Sequence, residues 1–242
     1  MGVLDDIISG LDGDCTVREV YSCAHWTAVQ TRNWGLASSI LESHPYHGIV
    51  KNAGSLRGMA AMELAEYARS DNPHEASIGM AAINSMIYIN EDDCIVENAF
   101  DVLAEKSRGK KVAVIGHFPW VPQLKEIAGE FWVIENRLRG DDLPADEAER
   151  VLPQADVVGI TGTSLINHTF ESLMQLCRKS FVVMIGPSTP LSPVLYKYGV
   201  DVISGSRIVQ PEKMLACITE GAIFRQVKGV ELVSMMKKAS CE

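Results

Sequence analysis

The stretch Lys111–Trp120, KVAVIGHFPW, is a β-branched run that ends on glycine and passes at once into a histidine, an aromatic ring and a proline. Four more runs of the same kind follow it: FWVIE at 131–135, DVVGIT at 156–161, FVVMIG at 181–186 and VDVIS at 200–204. Near-continuous Val and Ile, in place of strict alternation, predicts strands covered on both faces. Between them lie helical stretches at Pro122–Gly129, Ala145–Leu152, Asn167–Lys179, Pro193–Tyr198 and Pro211–Glu220, with Pro211 placed as a first-turn proline and Asn167 as an N-cap. Strand, small-residue turn and helix in repetition predict an α/β architecture with a mostly parallel sheet.

Upstream of Lys110 the pattern changes. A short helix at Leu4–Leu11 leads into polar-alternating strand candidates at Thr16–Cys23, Thr27–Thr31 and Gly35–Ser39, an antiparallel meander. Two helices rich in Ala, Met and Gly follow, Leu56–Arg69 and Glu75–Tyr88, with the turn SDNP at 70–73 capping the second. A connecting helix is expected within Asn90–Arg108, and the reading places two domains at 1–90 and 91–242.

Composition narrows the function classes. With 22 Lys+Arg, 31 Asp+Glu and 47% hydrophobic residues, the chain is acidic and rich enough in apolar residues to build a core. No basic cluster is present to follow a phosphate backbone, so nucleic acid is not expected as a partner. No apolar run approaches the ~20 residues that span a bilayer, and none of the six cysteines falls in a CxxC pair. The expectation is a cytoplasmic protein with reduced thiols, no membrane partner and no secretory signal, which the acidic start MGVLDDIISG does not resemble. The Met- and Ala-rich helices leave a homo-oligomeric interface open.

Open parallel sheets bind ligands at the carboxyl ends of their strands, where strand order reverses. If the order follows 3-2-1-4-5, the loops after the first and fourth of these strands flank that crevice. They are Gly116-His117-Phe118-Pro119 and Gly186-Pro187-Ser188-Thr189, both stiffened by Gly and Pro and both presenting polar groups. A third element, Thr161-Gly162-Thr163, offers hydroxyls and backbone N–H groups to an anionic or carbonyl-bearing ligand; helix capping is the competing account. Glu135 ends the second strand where a carboxylate can grip a ribose diol, although no GxGxxG accompanies it. His117 is the natural general acid or base because imidazole titrates nearest neutral pH. Metal ligation would draw on Cys23, His25, His44 and His47, which match no standard cage.

Seven stretches in order carry a family resemblance: WTAV at 26–29, GMAAINSM at 79–86, VAVIGHFPW at 112–120, VIEN at 133–136, the passage from Asp141 to Thr169, IGPSTPLSP at 185–193, and Ile218-Thr219-Glu220-Gly221. Together they resemble the "Putative heavy-metal chelation" family across nearly the whole chain. The resemblance implies a small α+β domain similar to the enolase N-terminal fold, then a Rossmann-like, doubly wound, mostly parallel sheet. It implies a site between the two for a small metabolite, a metal or a metal chelate, and a role in condensation or hydrolysis tied to flavin, pterin or metal-chelator synthesis.

Carried onto this sequence, the family motifs nominate His117, Phe118, Pro119, Glu135, Asn136, Thr161, Gly162, Thr163, Asn167, Gly186, Pro187, Ser188 and Thr189, with Trp26, Thr27 and Asn84 from the N-terminal part. Where the family often has paired glycines after the late glutamate, Gly221 is followed by Ala222. Three readings stay open: an enzyme or ligand-binding protein acting through His117 and Glu135, a metal-binding protein or metallochaperone, and a methyltransferase-like enzyme using a nucleoside cofactor.

Overall fold

The computed structural model describes residues 2–40, 49–89 and 99–237. Helix α1 (Val3–Ser9) precedes an antiparallel meander of β1 (Glu19–Ser22), β2 (Trp26–Gln30) and β3 (Trp34–Ser38). Helix α2 (Ala61–Ala65) tightens into a 3-10 turn at Glu66–Arg69, so the helix expected over 56–69 is shorter than its composition promised. Helix α3 (Pro73–Met86) opens on Asn72, whose side chain accepts from the His74 N–H at 3.0 Å, the cap that the SDNP turn predicted.

Helix α4 (Ala99–Ser107) then leads into the larger sheet. That sheet holds β4 (Lys111–Ile115), β5 (Glu130–Ile134), β6 (Val157–Thr161), β7 (Phe181–Ile185), β8 (Val202–Ile208) and β9 (Val230–Met236). Its helices are α5 (Val121–Ile127), α6 (Ala148–Val151), α7 (Thr163–Ile166), α8 (Phe170–Leu176) and α9 (Pro211–Thr219). Pro211 is the first-turn proline expected of it. The helix expected from Asn167 instead begins at Phe170, behind the short turn of α7.

All five expected strands are present, and they pair in parallel. Successive residues go to opposite faces. Val112, Val114, Val157 and Val183 pack with α4 and α5, whereas Ala113, Val158, Ile160, Val182 and Met184 pack with α6 and α8. The unbroken apolar runs are therefore two alternating sets, each with its own helical cover.

Two expectations need correction. The strand order is β5-β4-β6-β7-β8-β9, not the 3-2-1-4-5 series on which the crevice was drawn. The reversal falls between β4 and β6, so the Thr161 turn is the immediate neighbour of the Gly116 loop, and the Gly186 loop stands one strand further on. The sheet also gains β9, antiparallel to β8, which no β-branched run announced.

The β8–β9 excursion links the two parts of the molecule. Met214 and Ile218 of α9 pack against Trp26, Ala28 and Leu36, one face of the meander. The opposite face, with Val29 and Ala37, lies in the same apolar cluster as Ile78, Ala82 and Ile83 of α3.

Two glycines set how close α3 approaches its neighbours. A Cβ on Gly35 would stand 2.1 Å from the Ala81 carbonyl oxygen, and one on Gly79 would stand 1.9 Å from the Ala68 nitrogen. Both clashes are with backbone, so no rotamer change relieves them. Gly79→Ala and Gly35→Ala should each destabilise the protein by about 3 kcal/mol or more, the upper end of overpacking costs, read as a lower urea midpoint. Wild-type midpoints in both variants would refute the close approach.

Cys177, buried beside α8, has its thiol pushed by desolvation from its ordinary 9.0 up to about 12. The folded state thus holds this proton more tightly than the unfolded chain. Stability from that source is complete below 9.0 and declines as pH rises towards 12, by at most roughly 1.4 kcal/mol per unit. Urea unfolding from pH 7 to pH 11 should show that decline, reduced in Cys177→Ala; an identical decline in the variant would remove Cys177 as its cause.

Candidate functional site

Beyond the carboxyl ends of β4, β6 and β7 lies a cavity of about 370 Å³. The first loop supplies His117, Phe118, Pro119 and Trp120, the second turn Thr161, Gly162 and Thr163, and the third loop Gly186, Pro187 and Ser188. Trp26 and Ser38 reach it from the meander. The loops nominated by sequence therefore share one cavity with a nominated residue of the N-terminal part.

Each loop has a local reason for its shape. Gly116 has φ +99° and Gly186 φ +110°, backbone that a β-carbon resists. Gly162 matters through proximity, because a Cβ there would stand 2.5 Å from the Thr189 nitrogen. The second turn can thus lie directly on the third loop. Thr161 and Thr163 share a hydroxyl hydrogen bond of 3.0 Å, and Ser164 Oγ donates to the Thr161 carbonyl at 2.8 Å.

The meander is tied to the third loop by polar contacts. Ser188 Oγ accepts from the Ser38 N–H at 2.9 Å and donates to Ser38 Oγ at 3.2 Å. Asn84 of α3 donates through Nδ2 to the Leu36 carbonyl at 2.9 Å and to the Pro187 carbonyl at 3.2 Å. Asn84 is therefore a strut between β3 and the loop, and it does not line the cavity.

Aromatic rings dominate the walls. Phe118 and Trp120 stack with centroids 4.7 Å apart and planes within 4°. Trp26 and Phe224 meet at 5.4 Å in a tilted pair. The Trp26 indole N–H donates to the Ala222 carbonyl at 2.9 Å, which fixes the turn after α9. That turn delivers Phe224 and Arg225 to the cavity. Among the described residues lining it, Arg225 is the one with a permanent charge, and none is a carboxylate.

His117 faces Asp142, with Nδ1 3.4 Å from Oδ2. The Asp142 side chain is only 3% exposed, and its other fixed contact is the Arg139 N–H, which donates to Oδ2 at 3.0 Å. A carboxylate at Nδ1 favours the tautomer protonated there, leaving Nε2 free to accept a proton.

Six nominated residues are placed elsewhere or serve the framework. Thr27 is buried and hydrogen-bonded to Ser39 at 2.9 Å, and Asn84 is the strut described above. Asn167 accepts from the Thr169 hydroxyl at 2.8 Å in a local turn. Glu135 Oε2 accepts from the Asn136 N–H at 3.2 Å, and neither residue lines the cavity. Thr189 is buried behind the third loop.

Sequence reasoning missed Ser38, Trp120, Ser204, Phe224 and Arg225 in the cavity, and Asp142 beside it. Trp120 stands inside the quoted HFPW motif and could have been found there. Arg225 sits in a 3-10 turn, Phe224–Gln226, with no motif around it.

Among the described residues no group of three or more His, Cys, Asp or Glu converges to hold a metal ion. Cys23 is half-buried, which pushes its thiol above its ordinary range and away from the thiolate a metal needs. His25 is exposed in the turn between β1 and β2, and His44 and His47 lie outside the described residues. The described donors do not fit a resident heavy-metal cage. No helix among the described residues is long and apolar enough to cross a membrane.

Two family models described as "Putative heavy-metal chelation" match residues 4–87 and 98–237. An uncharacterised protein of Methanocaldococcus jannaschii is 29% identical over 190 residues, covering 75% of this chain and 72% of that protein. A crystal structure of a DUF364-family protein of unknown function from Desulfitobacterium hafniense is similar with a TM-score of 0.84 and 26% identity, over 97% of this chain and 98% of the other. A second DUF364-family structure, from Pyrococcus horikoshii, shares the fold with a TM-score of 0.82 at 20% identity, over 97% and 98% of the two chains. With both models matched in order along it, the chain belongs to the "Putative heavy-metal chelation" family.

Proposed function

We propose that this protein binds a small, ring-bearing organic anion in the cavity between the meander and the strand ends, and that His117 acts on it as general acid or base. The observation that carries this reading is the lining itself: four aromatic side chains, a set of hydroxyls, one imidazole and one guanidinium, with no carboxylate among the described residues. Flat apolar walls suit a ring. Arg225 and the Thr161–Thr163 turn suit an acidic or carbonyl-bearing substituent.

The family's description is met, on this reading, by an organic chelator or its metal complex in place of a bare ion. Ring stacking and Arg225 would recognise the organic part. Condensation or hydrolysis of a pterin, flavin or chelator precursor is the chemistry we assign, with Nε2 of His117 taking or giving the proton and Asp142 holding Nδ1. Glu135 is relieved of the catalytic part assigned to it from sequence, because it stands outside the cavity lining.

Calorimetric titration with pterin-6-carboxylate and with flavin mononucleotide tests the reading. At least one should bind, with affinity reduced about tenfold or more in Arg225→Ala and further in Trp26→Ala. No heat with either, or equal affinity in wild type and Arg225→Ala, would count against it.

A further inference from the structure

A second cavity, of about 430 Å³, lies along β5, the outermost strand of the larger sheet. One wall is α5, with Val121, Pro122 and Lys125; the other is the segment 139–143, strapped to the strand because the Leu143 N–H donates to the Val133 carbonyl at 2.7 Å and the Leu143 carbonyl accepts from the Glu135 N–H at 2.9 Å. His117 is the residue that lines both this cavity and the first. Its imidazole is thus a shared partition.

The charges in the second cavity are mixed, unlike those in the first. Lys125 and Arg139 are its cations, and Asp141 and Asp142 its anions. Lys125 is engaged by Asp141, a contact that lowers the Asp141 pKa. The Arg139 guanidinium has no such partner among the described residues. Asp142 lies at the His117 end, almost fully shielded from solvent, with a carboxylate that meets only the imidazole and one backbone N–H among the described residues. Trp132, Leu143 and Val121 add apolar surface to the same lining.

We propose that this cavity is a binding site for a zwitterion with an apolar body, of the amino-acid class. A carboxylate would pair with Arg139 at the rim, an ammonium would approach Asp142 beside His117, and the apolar body would lie on Trp132. A dianion would meet two aspartates and a bare cation two basic side chains, whereas a zwitterion offers each of its two neighbouring charges an opposite partner, consistent with the Arg139 N–H standing 3.0 Å from the Asp142 carboxylate. The placement also sets an amine next to the imidazole that faces the first cavity, so that two ligands would adjoin one proton-handling group. The inference does not depend on what fills the first cavity.

The tryptophans separate the two sites. Trp26 and Trp120 line the first cavity and Trp132 lines the second. With 15N-labelled full-length protein, the indole signals are followed during titration with L-phenylalanine, phenylacetate and phenethylamine. L-Phenylalanine should shift the Trp132 signal while those of Trp26 and Trp120 stay in place, and the two single-charge analogues should bind more weakly. Arg139→Ala, an exposed position, and Asp142→Asn, which keeps an acceptor for the Arg139 N–H, should each weaken L-phenylalanine about tenfold or more. A silent Trp132 signal, equal binding of either analogue, a response confined to Trp26 and Trp120, or unchanged affinity in both variants would overturn the proposal.

Discussion

The arrangement depends on how closely the backbone of α3 lies on its surroundings. Gly35 lets the helix rest on the meander, and Gly79 lets the turn at Tyr67–Ala68 rest on the helix. Because no side chain intervenes at either point, α3 is buried around most of its circumference. That fixed depth brings Asn84 within reach of both the Leu36 and the Pro187 carbonyls, and it sets the end of β3 so that Ser38 meets Ser188. Hydrogen bonds of this kind are each worth about 1 kcal/mol, so their role is to fix position more than to add stability. They hold the third loop against the N-terminal part, and the cavity exists because that loop is held.

The larger sheet contributes the other half of the geometry. Alternating apolar sets on β4, β6 and β7 commit both faces to helices, which leaves the strand ends as the place where polar loops converge. The excursion through α9 then closes the arrangement from the far side. Its helix covers the outer face of the meander, and the turn after it is fastened by the Trp26 indole and supplies Phe224 and Arg225. A residue of β2 and a turn near the chain's end are therefore parts of one wall, although almost the whole chain separates them.

What the sequence disclosed follows the range of the forces involved. The five parallel strands were legible because each is a local run of β-branched residues, and α3 because Asn72 and Pro73 mark its start. Strand order was not legible, since nothing within KVAVIG states which neighbour it will pair with. β9 was hidden for a related reason: in VELVSMM the apolar run is broken by Glu231 and Ser234 without a regular alternation and follows Gly229, so it lacks the dense signature of a central strand. At the site, the loops with Gly, Pro and His could be read as stiffened polar turns and do gather around one cavity. Glu135 could not be distinguished from a strand-end carboxylate by spacing alone, and Asp142 was one acid in an acidic passage until the fold placed it against His117. Arg225 gave no local signal, because its significance comes from where α9 ends.

The proposal that everything else serves is an organic anion in the cavity between the meander and the strand ends. Native mass spectrometry of protein purified gently from its own host tests it most directly, comparing wild type with Arg225→Glu. A retained small acid is expected on the wild-type chain and not on the charge-reversed variant. A bare wild-type mass, or an adduct kept equally by both proteins, would contradict it.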